Sequence, residues 1–492
     1  MARPLTVLFL SSEVDPFAKT GGLADVAGAL PPALKRLGVE IRVLMPRYGI
    51  IKERAHKLHE MIRLKEIPVP VGARSRTASV KSAFLAAGQE KVQVYFVENK
   101  ALFGRKGLYV HPETQEAYAD NDVRFAFFSR SVFEILKQMR WAPDIIHCND
   151  WHTGLVAAYL KTLYAQDPFF KQTRTVLTIH NMAYQGEFPP ASYAATGLPD
   201  EPALREALTA HGKINYLKSG LVFAHALTAV SERYAQEIGS GPEYGYGLED
   251  VIRRRAGDLR GILNGADYQQ WDPAHDGLIP HRFGVRSLDL KTENKRALLQ
   301  KMGLAFSPTT PVIGIVSRLA TQKGFDLIGE VLDQLMALDL QLVVLGTGEK
   351  QYHDLFTRAA AAYPRKLAVA LRFDNALAHL IEAGSDMFLM PSRYEPCGLN
   401  QLYSLRYGTV PIVRATGGLA DTVEDFDGTK GTGFAFEEYD SRELLRAVQR
   451  ALAAYADQPV WAKIVKAGMA KDFSWDASAR KYLQIYRSAL KS

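Results

Sequence analysis

Lys19-Thr20-Gly21-Gly22-Leu23-Ala24-Asp25-Val26 is the stretch that decides the fold of this chain. Before it lies an apolar, β-rich run, Leu5-Thr6-Val7-Leu8-Phe9-Leu10. After it apolar residues recur at helical spacing: Leu23, Val26, Ala27, Leu30, Leu34 and Leu37. The pattern predicts a strand, a glycine turn and a helix. Adjacent glycines let backbone approach a ligand closely. A helix that begins there offers unpaired N–H groups and a positive dipole end to an anion, and Lys19 adds a mobile cation. Nearly the same phrase returns as Thr416-Gly417-Gly418-Leu419-Ala420-Asp421. The recurrence makes a weak glycine motif an architectural one.

At 492 residues the chain is too long for a single hydrophobic core, and two domains are the simplest expectation. No apolar run reaches the ~20 residues that span a bilayer. The opening Met1-Ala2-Arg3-Pro4 leads straight into a strand, with no apolar signal region and no Arg/Ser-rich transit segment, so a cytoplasmic location is expected. Two cysteines, Cys148 and Cys397, rule out a disulfide framework and suit reducing surroundings. The net charge of +7 fits an acidic small molecule as well as nucleic acid, but no Lys/Arg block interleaved with aromatics is present. A nucleic-acid partner and a membrane are therefore not expected.

Up to about residue 245, further β-rich runs begin at Val39, Val92, Asp144, Thr175 and Ala226, separated by helical patterns. Such alternation predicts a parallel, doubly wound sheet, whose ligands sit at the C-terminal ends of the strands. Between about 239 and 275 glycine and tyrosine alternate with few long apolar side chains, as in an inter-domain crossing. Alternation resumes with runs at Val312, Gln341, Leu367, Met387 and Val410, a second parallel sheet. The expected division is 1–245 and 246–470, with 471–492 a capped amphipathic helix for which packing back on the first domain is one option. Neither half carries Gly-x-Gly-x-x-Gly, and no Walker-type loop occurs, which removes the main support for dinucleotide-dependent oxidoreductases and NTPases.

Four constellations at predicted strand ends could carry chemistry. His147-Cys148-Asn149-Asp150-Trp151-His152 contains metal-ligand types, but it spans a strand end and a helix start, so its side chains should diverge, and Asp150 suits a helix N-cap. His180 closes a buried-looking strand beside Asn181, Tyr184 and Gln185, all able to bind hydroxyls; alone it reads equally as a core histidine. Arg318 and Lys323 straddle a turn and could converge on a diphosphate, or be ordinary surface cations. Glu395, in Pro391-Ser392-Arg393-Tyr394-Glu395-Pro396-Cys397-Gly398-Leu399-Asn400, is a carboxylate in a stiff turn, suited to sugar hydroxyls or a cationic transition state, with helix capping as the plain alternative.

Taken together, Lys-Thr-Gly-Gly-Leu-Ala-Asp, Asp-Trp-His, Ile-His-Asn, Ser-Arg-Leu, Glu-Pro-Cys-Gly-Leu and Thr-Gly-Gly-Leu-Ala-Asp resemble the glycogen and starch synthase family of glycosyltransferases, from residue 5 to residue 486. The resemblance implies two Rossmann-like domains facing across a deep cleft (GT-B type), the last helix returning to the first domain. It also implies transfer of glucose from ADP-glucose to the non-reducing end of an α-1,4-glucan such as glycogen, with retention and without a metal or other cofactor. Carried over by motif, Lys19, Gly21 and Gly22 would lie at the donor phosphates or glucose, and Arg318 and Lys323 would hold the diphosphate. Asp150, His180 and Asn264 would serve the glucose pocket, and Glu395 would bind the transferred glucose. Cys397, Gly398 and Leu399 of the same turn, with Thr416, Gly417, Gly418 and Leu419, would complete the substrate-binding set. The two glycine turns would then face one donor from opposite walls.

Two departures stand out. Tyr403 occupies the position at which many related glycosyltransferases carry a second glutamate, and Phe373 stands at the base-stacking position where a tyrosine is common. Stacking survives the second change while a hydroxyl contact is lost. The alternatives are a starch synthase, a transferase using UDP-glucose or another acceptor, or a silent glucan-binding relative; the last should have lost some of Lys19, His180, Arg318, Lys323 or Glu395, and all are present.

Overall fold

The computed structural model describes residues 3–87 and 90–491. The chain forms two compact units. One holds the residues up to Val230, Ala235–Gly265 and those from Trp475 onward; the other holds Ser231–Tyr234 and Ala266–Ser474.

The first unit is built on a sheet of β1 (Thr6–Leu10), β2 (Glu40–Pro46), β3 (His59–Glu60), β4 (Ile67–Val71), β5 (Arg74–Ala87), β6 (Glu90–Glu98), β7 (Ile145–Asn149) and β8 (Arg174–Ile179), with two more strands from further along the chain. Three short strands, β9 (Glu187–Phe188), β10 (Thr209–Ala210) and β11 (Lys213–Asn215), form a small sheet of their own, and β12 (Ala226–Ala229) and β13 (Leu259–Gly261) complete the large one. The order is β13-β12-β8-β7-β1-β2-β6-β5-β3, with β4 paired to β5. Neighbours from β13 to β6 run parallel. The pairs β5–β6, β3–β5 and β4–β5 are antiparallel. This edge departs from the all-parallel expectation: β5 is rich in Ser, Thr, Arg and Lys, and its exposed outer side leaves no apolar period to read.

Residues 246–265 belong to the first unit, not the second, because β13 pairs in parallel with β12. The stretch read as a loosened crossing thus contains helix Glu249–Arg254 and a short strand. At the other end of the chain, Trp475–Ala489 packs its buried Trp475, Ala479, Tyr482 and Tyr486 within this unit. Tyr486 OH lies 2.7 Å from Nδ1 of His147, and Arg36 on the first helix (Gly22–Arg36) pairs with Asp476 at 2.6 Å.

The second unit has six described strands: β14 (Val312–Val316), β15 (Gln341–Leu345), β16 (Leu367–Ala370), β17 (Met387–Met390), β18 (Val410–Arg414) and β19 (Phe434–Phe436). All pairs are parallel, in the order β16-β15-β14-β17-β18-β19. Near-continuous apolar strands such as Val312–Val316 suit a sheet covered on both faces. Short segment Ser231–Tyr234 is held here: Ser231 Oγ donates to Pro396 O at 2.6 Å and the Arg233 N–H to Asp421 Oδ2 at 2.9 Å.

Strand order locates the ligand-binding edge of each sheet. Connections leave β1 toward β2 on one side and reach β7 on the other, and leave β14 toward β15 on one side and reach β17 on the other. A crevice opens at such a switch point beyond the C-terminal strand ends.

Candidate active site

In the first unit the segments after β1, β7, β8 and β13 carry the candidate residues to one edge of the sheet. The turn after β1 already holds an anion, and it is the protein's own. Glu13, buried, accepts the Thr20 N–H at 2.5 Å, the Thr20 hydroxyl at 2.6 Å and the Gly21 N–H at 3.2 Å. Tyr109 OH donates to Glu13 at 2.8 Å. Lys19 pairs with Asp25 one turn into the helix. Gly21 is extended (φ −160°), and a Cβ added at Gly21 or Gly22 would meet no protein atom within 4 Å apart from chain neighbours. Neither backbone strain nor crowding by the protein explains this pair of glycines; the space beside them is open.

Asp150 follows β7 with φ +54°, rare for a residue other than glycine. It stands at the N-cap of Trp151–Thr153, but its side chain makes no capping bond. Oδ1 instead accepts the His180 N–H at 2.7 Å, which joins the ends of β7 and β8. The His180 ring donates from Nε2 to Asn149 Oδ1 at 2.8 Å, since the amide nitrogen of Asn149 is bound to Leu10 O at 2.8 Å. Desolvation pushes the imidazole well below its ordinary pKa, so it is neutral, with Nδ1 bearing the lone pair. Asn264 is buried after β13, and its Oδ1 has no partner among the described residues, an acceptor awaiting a hydroxyl.

The feared metal set does disperse. His147 turns to Tyr486 and to Thr178 at 2.6 Å, while His152 stacks on Trp151 with ring centres 3.9 Å apart. Among the described residues no group of three His, Cys, Asp or Glu is placed to hold a metal ion.

Burial pushes the Asp150 carboxyl from 3.8 up to about 7, against the N–H groups of His180 and Asn181 that favour the anion. The folded chain therefore binds the extra proton between those values, and stability falls as pH rises from about 4 to about 7, then levels off. The size of this loss is about 4 kcal/mol. Asp150→Asn removes it, so thermal unfolding should show the variant gaining on wild type at pH 8 but not at pH 4. An equal gap at both pH values would defeat the assignment.

In the second unit the loops after β14 and β17 are zipped together at the switch point. Arg393 N–H donates to Gln322 O at 2.9 Å, and Gly324 (φ +74°) packs so tightly that a Cβ there would lie 2.0 Å from Pro391 O. This places Lys323 Nζ 2.6 Å from Glu395 Oε2, with Ser392 Oγ donating to the same oxygen at 3.0 Å. Glu395 is 5% exposed. It caps no helix, because the next one, Asn400–Tyr407, has Leu399 at its N-cap without a side-chain cap. Lys323 is drawn to Glu395, while the Arg318 side chain is exposed and makes no hydrogen bond or ion pair among the described residues. Phe373, beyond β16, is 85% exposed, a bare aromatic face.

The second glycine turn differs from the first. Gly417 has φ +45°, and a Cβ would fall 1.9 Å from Glu395 O; at Gly418 one would fall 2.0 Å from Cys397 O. The Thr416 N–H donates to Arg414 O at 2.9 Å and the Gly418 N–H to Glu395 O at 3.1 Å. Cys397 is buried, Gly398 is left-handed (φ +70°), and Gln401 ties the carbonyls of both at 3.0 Å. Tyr403 stacks on Trp271 at 4.1 Å between ring centres, part of the core. Sequence reasoning missed Glu13, Tyr109 and Asn149; only Glu13, an acid between the first strand and the glycine turn, left a signal.

The family model "Starch synthase catalytic domain" matches residues 6–254 and "Glycosyl transferases group 1" matches 300–467. Glycogen synthases of Anaeromyxobacter sp. (strain Fw109-5) and Koribacter versatilis (strain Ellin345) are 47% and 48% identical to this chain, covering 98% of it and 99% and 98% of their own lengths. The catalytic domain of starch synthase IV from Arabidopsis thaliana, solved with ADP and acarbose, is similar over 100% of both chains with TM-score 0.90 and 31% identity. Two parallel-sheet units with these matches define a two-domain glycosyltransferase of GT-B type. The chain belongs to the glycogen and starch synthase family.

Proposed function

We propose that this chain transfers glucose from ADP-glucose to the non-reducing end of an α-1,4-glucan, retaining the anomeric configuration. The observation that carries the reading is the Lys323–Glu395 pair at the switch point of the second sheet. As the glycosidic bond breaks, the reacting carbon gains positive charge and the leaving ADP negative charge. A buried carboxylate answers the first and cations answer the second. Glu395 serves the transferred glucose, Lys323 and Arg318 the diphosphate, and Phe373 the adenine face. Leu419 and the turn Thr416–Gly418 line the distal phosphate and sugar, with Cys397, Gly398 and Leu399 beside them. In the first unit Lys19, Gly21 and Gly22 approach the donor, while Asp150, neutral His180 and Asn264 bind glucose hydroxyls. A covalent glycosyl-enzyme needs a second carboxylate at the reacting carbon. With none assigned, attack occurs on the same face within one ion-pair-like transition state.

No resident metal enters this scheme, since the cations supply the phosphate charge. Cys148 and Cys397, buried and not joined by a disulfide, suit a reducing cytoplasm. Among the described residues, no helix is long and apolar enough to cross a membrane. The test is incorporation of labelled glucose into glycogen in the presence of EDTA, with ADP-glucose and UDP-glucose compared. A kcat/KM for ADP-glucose at least about tenfold higher is expected. A preference for UDP-glucose, or loss of activity in EDTA, would overturn the donor or the metal-free scheme respectively.

A further inference from the structure

At the opposite edge of the first unit's sheet, where β8 and β12 begin, lies a cavity of about 370 Å³ lined by Lys161, Val222, Phe223, Ala224, His225 and Arg255. The family motifs do not reach it. The charged side chains that line it, Lys161 and Arg255, are both cations. Arg255 is fixed by the C-terminal carbonyls of helix Tyr216–Phe223, donating to Leu221 O at 2.6 Å, Val222 O at 2.8 Å and Ala224 O at 2.7 Å. Asp258 accepts from its Nε at 2.7 Å. Arg174, at the start of β8, has a buried Nε without a partner. Lys161 is exposed at the end of helix Leu155–Lys161, and its ammonium has no hydrogen bond or ion pair among the described residues.

The tautomer of His225 follows from geometry. Its Nδ1 lies 3.1 Å from the Thr175 backbone N, which can only donate, so Nδ1 accepts and Nε2 carries the proton. Burial, then Lys161, Arg174 and Arg255, hold the ring's pKa down to about 4; burial, then Arg174 and Arg255, lower that of Lys161. Asp258 offsets Arg255, but among the described residues no carboxylate pairs with Lys161 or Arg174. Lys161 and Arg174, two like charges without a carboxylate beside a donor-bearing neutral ring, sit together at an electrostatic cost that an anion would lower.

We propose that this cavity binds a phosphomonoester, its phosphate held by Lys161 and the His225 Nε2–H in the field of Arg174 and Arg255, and its organic remainder resting on Val222 and Phe223. The space exceeds what bare phosphate needs, and the half-exposed Phe223 and Val222 supply an apolar wall. The site is independent of the transferase reading, because no residue assigned to glucose transfer lines it.

The test follows the imidazole signal of His225 in protein carrying ¹⁵N-labelled histidine, identified by its loss in His225→Gln, during titration with glycerol 2-phosphate and with inorganic phosphate. A saturable shift is expected with both, at least threefold tighter for the ester. Lys161→Met should weaken both at least tenfold without changing the rate of glucose transfer. No saturable shift, or equal affinity in Lys161→Met, overturns the site. Phosphate binding as tightly as the ester overturns the apolar wall as part of it.

Discussion

Glu395→Gln is expected to lower the rate of glucose transfer by about 10²–10³, the usual cost of removing one preorganised group aimed at developing charge, while leaving the fold intact. The substitution isolates charge from shape. Glutamine still offers an oxygen to Lys323 and Ser392, which now bond the carboxylate at 2.6 and 3.0 Å. The backbone oxygen of residue 395, which receives the Gly418 N–H at 3.1 Å, is untouched. Only the negative charge opposite the reacting carbon disappears. Steady-state kinetics with ADP-glucose and glycogen, beside a thermal unfolding scan, separate the two consequences: kcat should fall with KM for the donor and the melting temperature little changed. A kcat within tenfold of wild type would remove Glu395 from the chemistry and leave the ion pair a structural feature.

The second large effect contrasts the two glycine turns. Gly417→Ala should destabilise the protein by about 3–5 kcal/mol, because the new methyl must displace a backbone oxygen and sits in a left-handed conformation. The clash distance is 1.9 Å to Glu395 O. At this size the melting temperature should drop by about 10 °C. Gly21→Ala, at φ −160° with no protein atom within 4 Å of the new carbon, should change stability by less than about 1 kcal/mol. Its effect should appear in transfer instead, as a fall of about tenfold or more, because the methyl occupies space left for the substrate. Equal melting temperatures for the two variants would show that the turns do the same job.

Much of the architecture is legible in the chain itself, because it rests on local periodicity. Apolar runs such as Val312–Val316 and the helical spacing from Leu23 to Leu37 announce strands and helices without reference to anything distant. Strand alternation then implies parallel sheets, and parallel sheets imply that His180, Asp150, Arg318 and Glu395 stand at strand mouths. The motifs named the family on the same grounds: they are contiguous.

What periodicity does not encode is which distant group meets which. The polar strand Arg74–Ala87 forms because Glu90–Glu98 on one side and two short strands are there to pair with it. The pairing of β12 and β13 moves residues 246–265 into the first unit. The pairing of Lys323 with Glu395, far apart in sequence, follows only once the loops after β14 and β17 are zipped together.

The two glycine phrases mark the boundary most sharply. By itself the sequence determined that each stands between a strand and a helix. Only the tertiary structure decided why each needs glycine: at Gly417 and Gly418 the carbonyls of Glu395 and Cys397 fill the place of a Cβ, whereas at Gly21 and Gly22 nothing from the protein does. Identical residues carry identical local preferences, and the difference lies in what the rest of the chain packs against them.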